Sequence, residues 1–93
     1  MPQSDYDVLL LGDYSCDLIF TGLSELPKLG VDVHGSGFDM APGGAYITAH
    51  ALHRLGLRTG WVTDFGNDSF SQFVLEAAEE AGITTELCRC LLY

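Results

Sequence analysis

Residues 42–68 read PGGAYITAHALHRLGLRTGWVTDFGND. Two glycines stand directly before a segment whose other residues suit a helix, although only proline is a poorer helix former than glycine. Ahead of the first turn, however, a glycine can take a positive φ and let the backbone approach a neighbour or a ligand closely. The N–H groups of that turn, which have no partner inside the helix, open into the same space. A tight strand-to-helix turn with nothing bound needs the same two residues, so the pair alone leaves both roles open. The spacing predicts a helix over residues 44–55, with Ile47, Ala51, Leu52 and Leu55 on its apolar stripe and Gly56 as its stop. Residues 58–66, RTGWVTDFG, carry the β-branched and aromatic side chains of a buried strand.

Upstream, DVLLLGD (7–13) is a short apolar run closed by Gly12, the pattern of a strand covered on both faces. Enough chain separates it from 58–66 for a helical crossover, so the two strands are expected to be parallel. Between 14 and 40, glycines, Pro27 and two short alternating pieces predict short strands and turns outside the main sheet. Downstream, Ser69 and Gln72 form a capping box for a helix within 67–82. Its apolar face is Phe70, Phe73, Val74, Ala77, Ala78 and Ala81, and Gly82 ends it. ITTELCRCLLY (83–93) begins a further strand, and its last residues, Leu91, Leu92 and Tyr93, would leave a sticky edge. A chain of 93 residues with no repeat is one domain or part of one; the expectation is the opening portion of a larger α/β fold.

Thirteen acidic residues against four basic ones give a formal charge of -9, which repels phosphate backbones and excludes nucleic acid as a partner. The apolar runs are too short to span a membrane, and Asp5 and Asp7 stand where a signal peptide would be positive, so a soluble, cytoplasmic protein is expected. Cys16, Cys88 and Cys90 are odd in number with no CxxC spacing, and are expected as free thiols. His34, His50 and His53 lack zinc-finger spacing; His50 and His53 share a helix face, where two solvent-facing histidines are expected rather than a metal pair.

Asp13, Ser15 and Asp17 lie just past the first strand, and ligands of open parallel sheets bind at the carboxyl ends of strands. Asp13 and Asp17 can accept hydrogen bonds from hydroxyl groups, and they suit the capping of a turn equally well. GSGFDM (35–40) lacks the third glycine of a dinucleotide loop, GGAYITAH lacks the lysine of a P-loop, and no Ser/His/Asp or Cys/His nucleophilic set can be assembled.

Taken in order, the double glycine, the small-residue helix, Gly56 and, after nine intervening residues, Gly66 resemble the N-terminal signature of the ribokinase-like sugar kinases, the PfkB carbohydrate kinase family. The likeness runs from about Val8 to Ile83. It implies a ribokinase-like α/β fold with a partial central parallel sheet, flanking helices and a small β lid at residues 14–42, within a fragment spanning 1–93. By resemblance Asp17 binds sugar hydroxyls with Ser15 and Asp13 beside it, while Gly43 and Gly44 bring backbone against the same sugar or nucleoside.

The lid of this family folds over the sugar and often pairs two subunits, which implies a homodimer or, as the alternative, a non-catalytic association module. ATP and Mg²⁺ serve the full-length enzymes, in which an aspartate takes the proton of the acceptor hydroxyl as it attacks the γ-phosphate. The G-A-G-D segment that carries that base has no match here. No catalytic, cofactor-binding or metal residue is therefore assigned, and the chain alone is expected to be inactive. Three further departures are Ile47 in the place of a signature asparagine, Ser15 where many relatives carry asparagine, and the final LCRCLLY.

Overall fold

Trp61 is fully buried, and its indole N–H donates to the Gly12 carbonyl at 3.0 Å. This one side chain reaches a carbonyl 49 positions away in the sequence. The computed structural model describes residues 5–91. Strand β1 (Val8–Leu11) pairs in parallel with β4 (Thr59–Val62), Val8 opposite Thr59 and Leu11 opposite Val62. The parallel pairing expected from the crossover length is thus observed. A two-residue strand β5 (Asp64–Phe65) continues from β4 and pairs in parallel with β6 (Arg89–Cys90). Between β1 and β4 the chain forms an antiparallel ribbon, β2 (Tyr14–Thr21) with β3 (Gly37–Gly44), and helix α1 (Ala45–Arg54). Helix α2 (Ser69–Glu80) follows β5. The core consists of Tyr46, Ala49, Trp61, Phe65, Val74, Ala78 and Ile83.

The phase of α1 differs from the expected stripe. Ile47 is 59 % and Leu55 75 % exposed, whereas Tyr46 and Ala49 are buried. Gly44, at φ 63° and ψ −138°, starts the helix and sets which residues face inward. The methyl-sized Ala49 lets the helix sit close, and Tyr46 meets Trp61 edge-on at a ring separation of 6.3 Å. Tyr46 also carries His50, stacked at 5.8 Å, and His53 lies against Gly82; both histidines are half-buried rather than solvent-facing.

Strand β1 is not covered on both faces either. Leu10 packs against the core, while Leu9 and Leu11 are exposed. Among the described residues only one side of the strand meets helix.

Helix α2 is capped one residue earlier than expected, by Asp68, whose carboxylate accepts the Ser71 N–H at 2.8 Å. A carboxylate is the stronger acceptor at a helix start and matches the positive end of the dipole. Ser71 turns inward, Val74 and Ala78 form the buried stripe, and Phe70 stays exposed. The C-terminal strand is short: only Arg89 and Cys90 join the ladder, Leu91 is half-buried, and Leu92 and Tyr93 lie outside the described residues. The three cysteines are free thiols.

Two substitutions test the phase of α1. Trp61→Ala is expected to cost about 3 to 5 kcal/mol through the cavity it leaves. Ile47→Ser should stay within about 0.5 kcal/mol. Urea unfolding midpoints of the two variants check both; a large loss at Ile47 would restore the apolar stripe expected from the sequence.

Candidate functional site

Antiparallel register builds the candidate site. Ser15 stands opposite Gly43 and Asp17 opposite Ala41, so the two side chains rise from β2 on the face that Gly43 leaves bare. A Cβ on Gly43 would lie 2.6 Å from both Asp17 Oδ2 and Ser15 Oγ. No side chain fits there. Ser15 Oγ donates to Asp17 Oδ1 at 2.9 Å, which orients the carboxylate and leaves Oδ2 to accept a hydrogen bond from another donor. Both residues are exposed, whereas Gly43 is buried.

Gly44 closes the turn against the strand root. A Cβ there would lie 2.7 Å from the Asp13 carbonyl oxygen, and that oxygen accepts the Ala45 N–H at 2.9 Å. Helix α1 therefore begins beside the Asp13 carbonyl, with no side-chain cap.

Of the five residues singled out in the sequence, Ser15, Asp17 and Gly43 form one cluster, and Gly44 adjoins it through backbone. Asp13 contributes its carbonyl to the turn. Asp13 also lines a neighbouring cavity of about 570 Å³ with Tyr14, Asp64, Gly66, Asp68, Ser71 and Leu91. A second cavity, of about 400 Å³, opens at the other end of the parallel strands. It shares no residue with the glycine pair, and its Tyr6 and Arg58 are engaged by Glu86 and Asp7.

Tyr14 organises the site and was not singled out in the sequence. Its ring stacks on Phe65 at 4.4 Å, its hydroxyl donates to Ser71 Oγ at 2.6 Å, and the same oxygen accepts the Gly66 N–H at 3.1 Å. The ribbon root is thereby pinned to β5 and α2. Strand alternation offered the one available signal, since Tyr14 falls between Asp13 and Ser15 and faces away from Ser15 and Asp17.

Three acidic residues, Asp13, Asp64 and Asp68, line the larger cavity, yet Asp64 is held by Arg89 through two 3.0 Å hydrogen bonds and Asp68 caps α2. The Ser71 hydrogen bonds hold the Asp68 carboxyl below the usual carboxylate range. Among the described residues no three His, Cys, Asp or Glu side chains group to hold a metal ion. Lys28, Arg58 and Arg89 are each paired with an acid.

A partial parallel sheet with an antiparallel ribbon inserted after its first strand, and a double glycine leading into the crossover helix, defines the ribokinase-like class of α/β fold. The chain belongs to the pfkB family of carbohydrate kinases, which it matches over residues 6–90. The match extends beyond the span of about Val8 to Ile83 recognised in the sequence.

Ribokinase of Cryptococcus neoformans var. grubii serotype A, solved with ADP, is similar over 90 % of this chain and 26 % of its own, at 25 % identity and a TM-score of 0.74. Fructokinase of Xylella fastidiosa with bound ATP is similar over 92 % of this chain and 26 % of its own, at 27 % identity and 0.68. The nucleoside kinase of Burkholderia thailandensis, in complex with inosine, shares the fold over 90 % of this chain and 27 % of its own, at 22 % identity and 0.70. The chain thus spans about a quarter of the length of these solved proteins. No curated protein matches it. No helix among the described residues is long and apolar enough to cross a membrane.

Two measurements follow from the turn and the cap. Gly43→Ala should destabilise the ribbon by about 1 to 3 kcal/mol, the usual cost of overpacking, and hydrogen exchange across β2 and β3 reads that loss. Because the folded Asp68 carboxyl titrates below its unfolded value, its contribution is complete above the unfolded pKa and disappears as pH falls through the folded one. Asp68→Asn should therefore flatten the acid limb of the thermal-stability profile.

Proposed function

We propose that this chain forms the acceptor-binding part of a PfkB-type carbohydrate kinase whose whole protein phosphorylates a hydroxyl of a sugar or nucleoside from ATP. The observation that carries the reading is the Ser15–Asp17–Gly43 cluster, where a missing Cβ and an oriented carboxylate stand together. Asp17 accepts an acceptor hydroxyl through Oδ2, Ser15 holds the carboxylate in place, and Gly43 and Gly44 let the acceptor ring approach backbone. Asp13 supports the turn through its carbonyl. Residues 14–42 act as the lid over the acceptor. Binding is the role assigned to these 93 residues, not phosphoryl transfer, and ATP and Mg²⁺ belong to the whole protein. A cytoplasmic location suits the three free thiols.

Titration of the chain with D-ribose, D-fructose and inosine, followed by amide NMR shifts, tests this reading. Shifts at Gly43, Gly44 and Asp17 are expected with at least one of them, and Asp17→Ala should weaken that binding by roughly 1 to 3 kcal/mol. Unchanged affinity in the variant would remove Asp17 from the site.

One observation favours a second, non-catalytic role beside this one. On the ribbon face opposite Asp17, Leu18, Phe20 and Phe38 are exposed, and the two phenylalanine rings pack at 5.1 Å. Such an unburied apolar face suits pairing with a second lid. Sedimentation equilibrium at several concentrations should show a dimer that Phe20→Ser weakens; a monomer throughout would contradict lid-mediated association.

A further inference from the structure

The ribbon register places a second carboxylate on the acceptor-facing side. Asp39 lies two residues before Ala41, the partner of Asp17, and so shares the face of Ser15, Asp17 and Gly43. Diagonal neighbours of this kind stand about 7 to 8 Å apart. Asp39 Oδ1 accepts the Met40 N–H at 2.8 Å, and among the described residues no ion pair engages Asp17 or Asp39.

The four basic side chains are placed elsewhere. Lys28 pairs with Glu25 in the loop between the ribbon strands, Arg58 with Asp7 at the far end of the parallel sheet, and Arg89 with Asp64. Arg54 sits in the last turn of α1, about 14 Å of helix from the glycine pair. A hydroxyl brought to this face finds acceptors. A phosphate brought there finds two carboxylates with no cation between them, and like charges set against each other act chiefly as a specificity filter.

We propose that Asp39, acting with Asp17, is a specificity-determining residue that selects uncharged polyhydroxyl acceptors and rejects phosphorylated ones. The inference rests on the acceptor-binding reading above. The filter operates through field rather than contact, so it weakens with ionic strength.

The test compares D-ribose with D-ribose 5-phosphate, and inosine with inosine 5′-monophosphate, by amide NMR titration of the 93-residue chain. In low salt each phosphorylated compound should bind at least about tenfold more weakly than its neutral parent, with the ratio narrowed by Asp39→Asn and by 0.5 M NaCl. A phosphorylated compound binding as tightly as its parent, with shifts at Gly43 and Gly44 from both, would overturn the filter and leave acceptor binding standing. A ratio unmoved by Asp39→Asn would overturn the role of Asp39. Absence of shifts at the glycine pair with all four compounds would overturn both readings together.

Discussion

The close passage of two backbones at Gly43 and Gly44 is the constraint on which the rest of the structure depends. Ribbon strand β3 runs straight into helix α1 with no intervening loop, and the reversal is possible because Gly44 takes a positive φ against the Asp13 carbonyl. A side chain at position 43 would occupy the space of Ser15 and Asp17. The same two residues therefore join the ribbon to the helix and hold open the surface on which the carboxylate stands. In this chain one steric fact serves fold and site alike.

From that turn the packing propagates in two directions. Inward, the phase that Gly44 gives to α1 delivers Tyr46 and Ala49 onto Trp61, whose indole N–H is spent on Gly12 at the end of β1. Toward α2, Tyr14 sits beside the turn, opposite Gly44 in the ladder, and ties the ribbon root to Gly66 and Ser71. Both links satisfy a polar group carried by a largely apolar side chain, the usual condition for placing tryptophan or tyrosine in a core. The ribbon beyond Asp17 has no such anchor and leaves its outer residues exposed.

The elements whose signal is local were legible in the sequence. The apolar run at 7–13, the crossover length and the β-branched run at 58–66 were enough for a parallel pair, and Gly56 and Gly82 marked the ends of both helices. Ser15, Asp17 and Gly43 came together because strand register obeys a two-residue period that the sequence displays.

What could not be read was which apolar residues meet a wall. Leu9, Leu11, Ile47 and Leu55 look like core by composition, yet they face away from the helices and strands of the described residues. Alternation could place Tyr14 on the inner face, but not its role, because its hydrogen-bond partners lie more than fifty positions away. Asp68 displaced Ser69 as the cap because a choice between adjacent acceptors is decided by backbone angles that residue types do not reveal.

The register of Gly43 against Ser15 is the central claim, since a slip of one residue would turn Asp17 to the opposite face of the ribbon. Proton NMR cross-relaxation between the Gly43 α-protons and the β-protons of Ser15 and Asp17 measures it directly. Strong cross-peaks to both are expected from the packing described. Cross-peaks from Gly43 to Tyr14 or Cys16 in their place would contradict it.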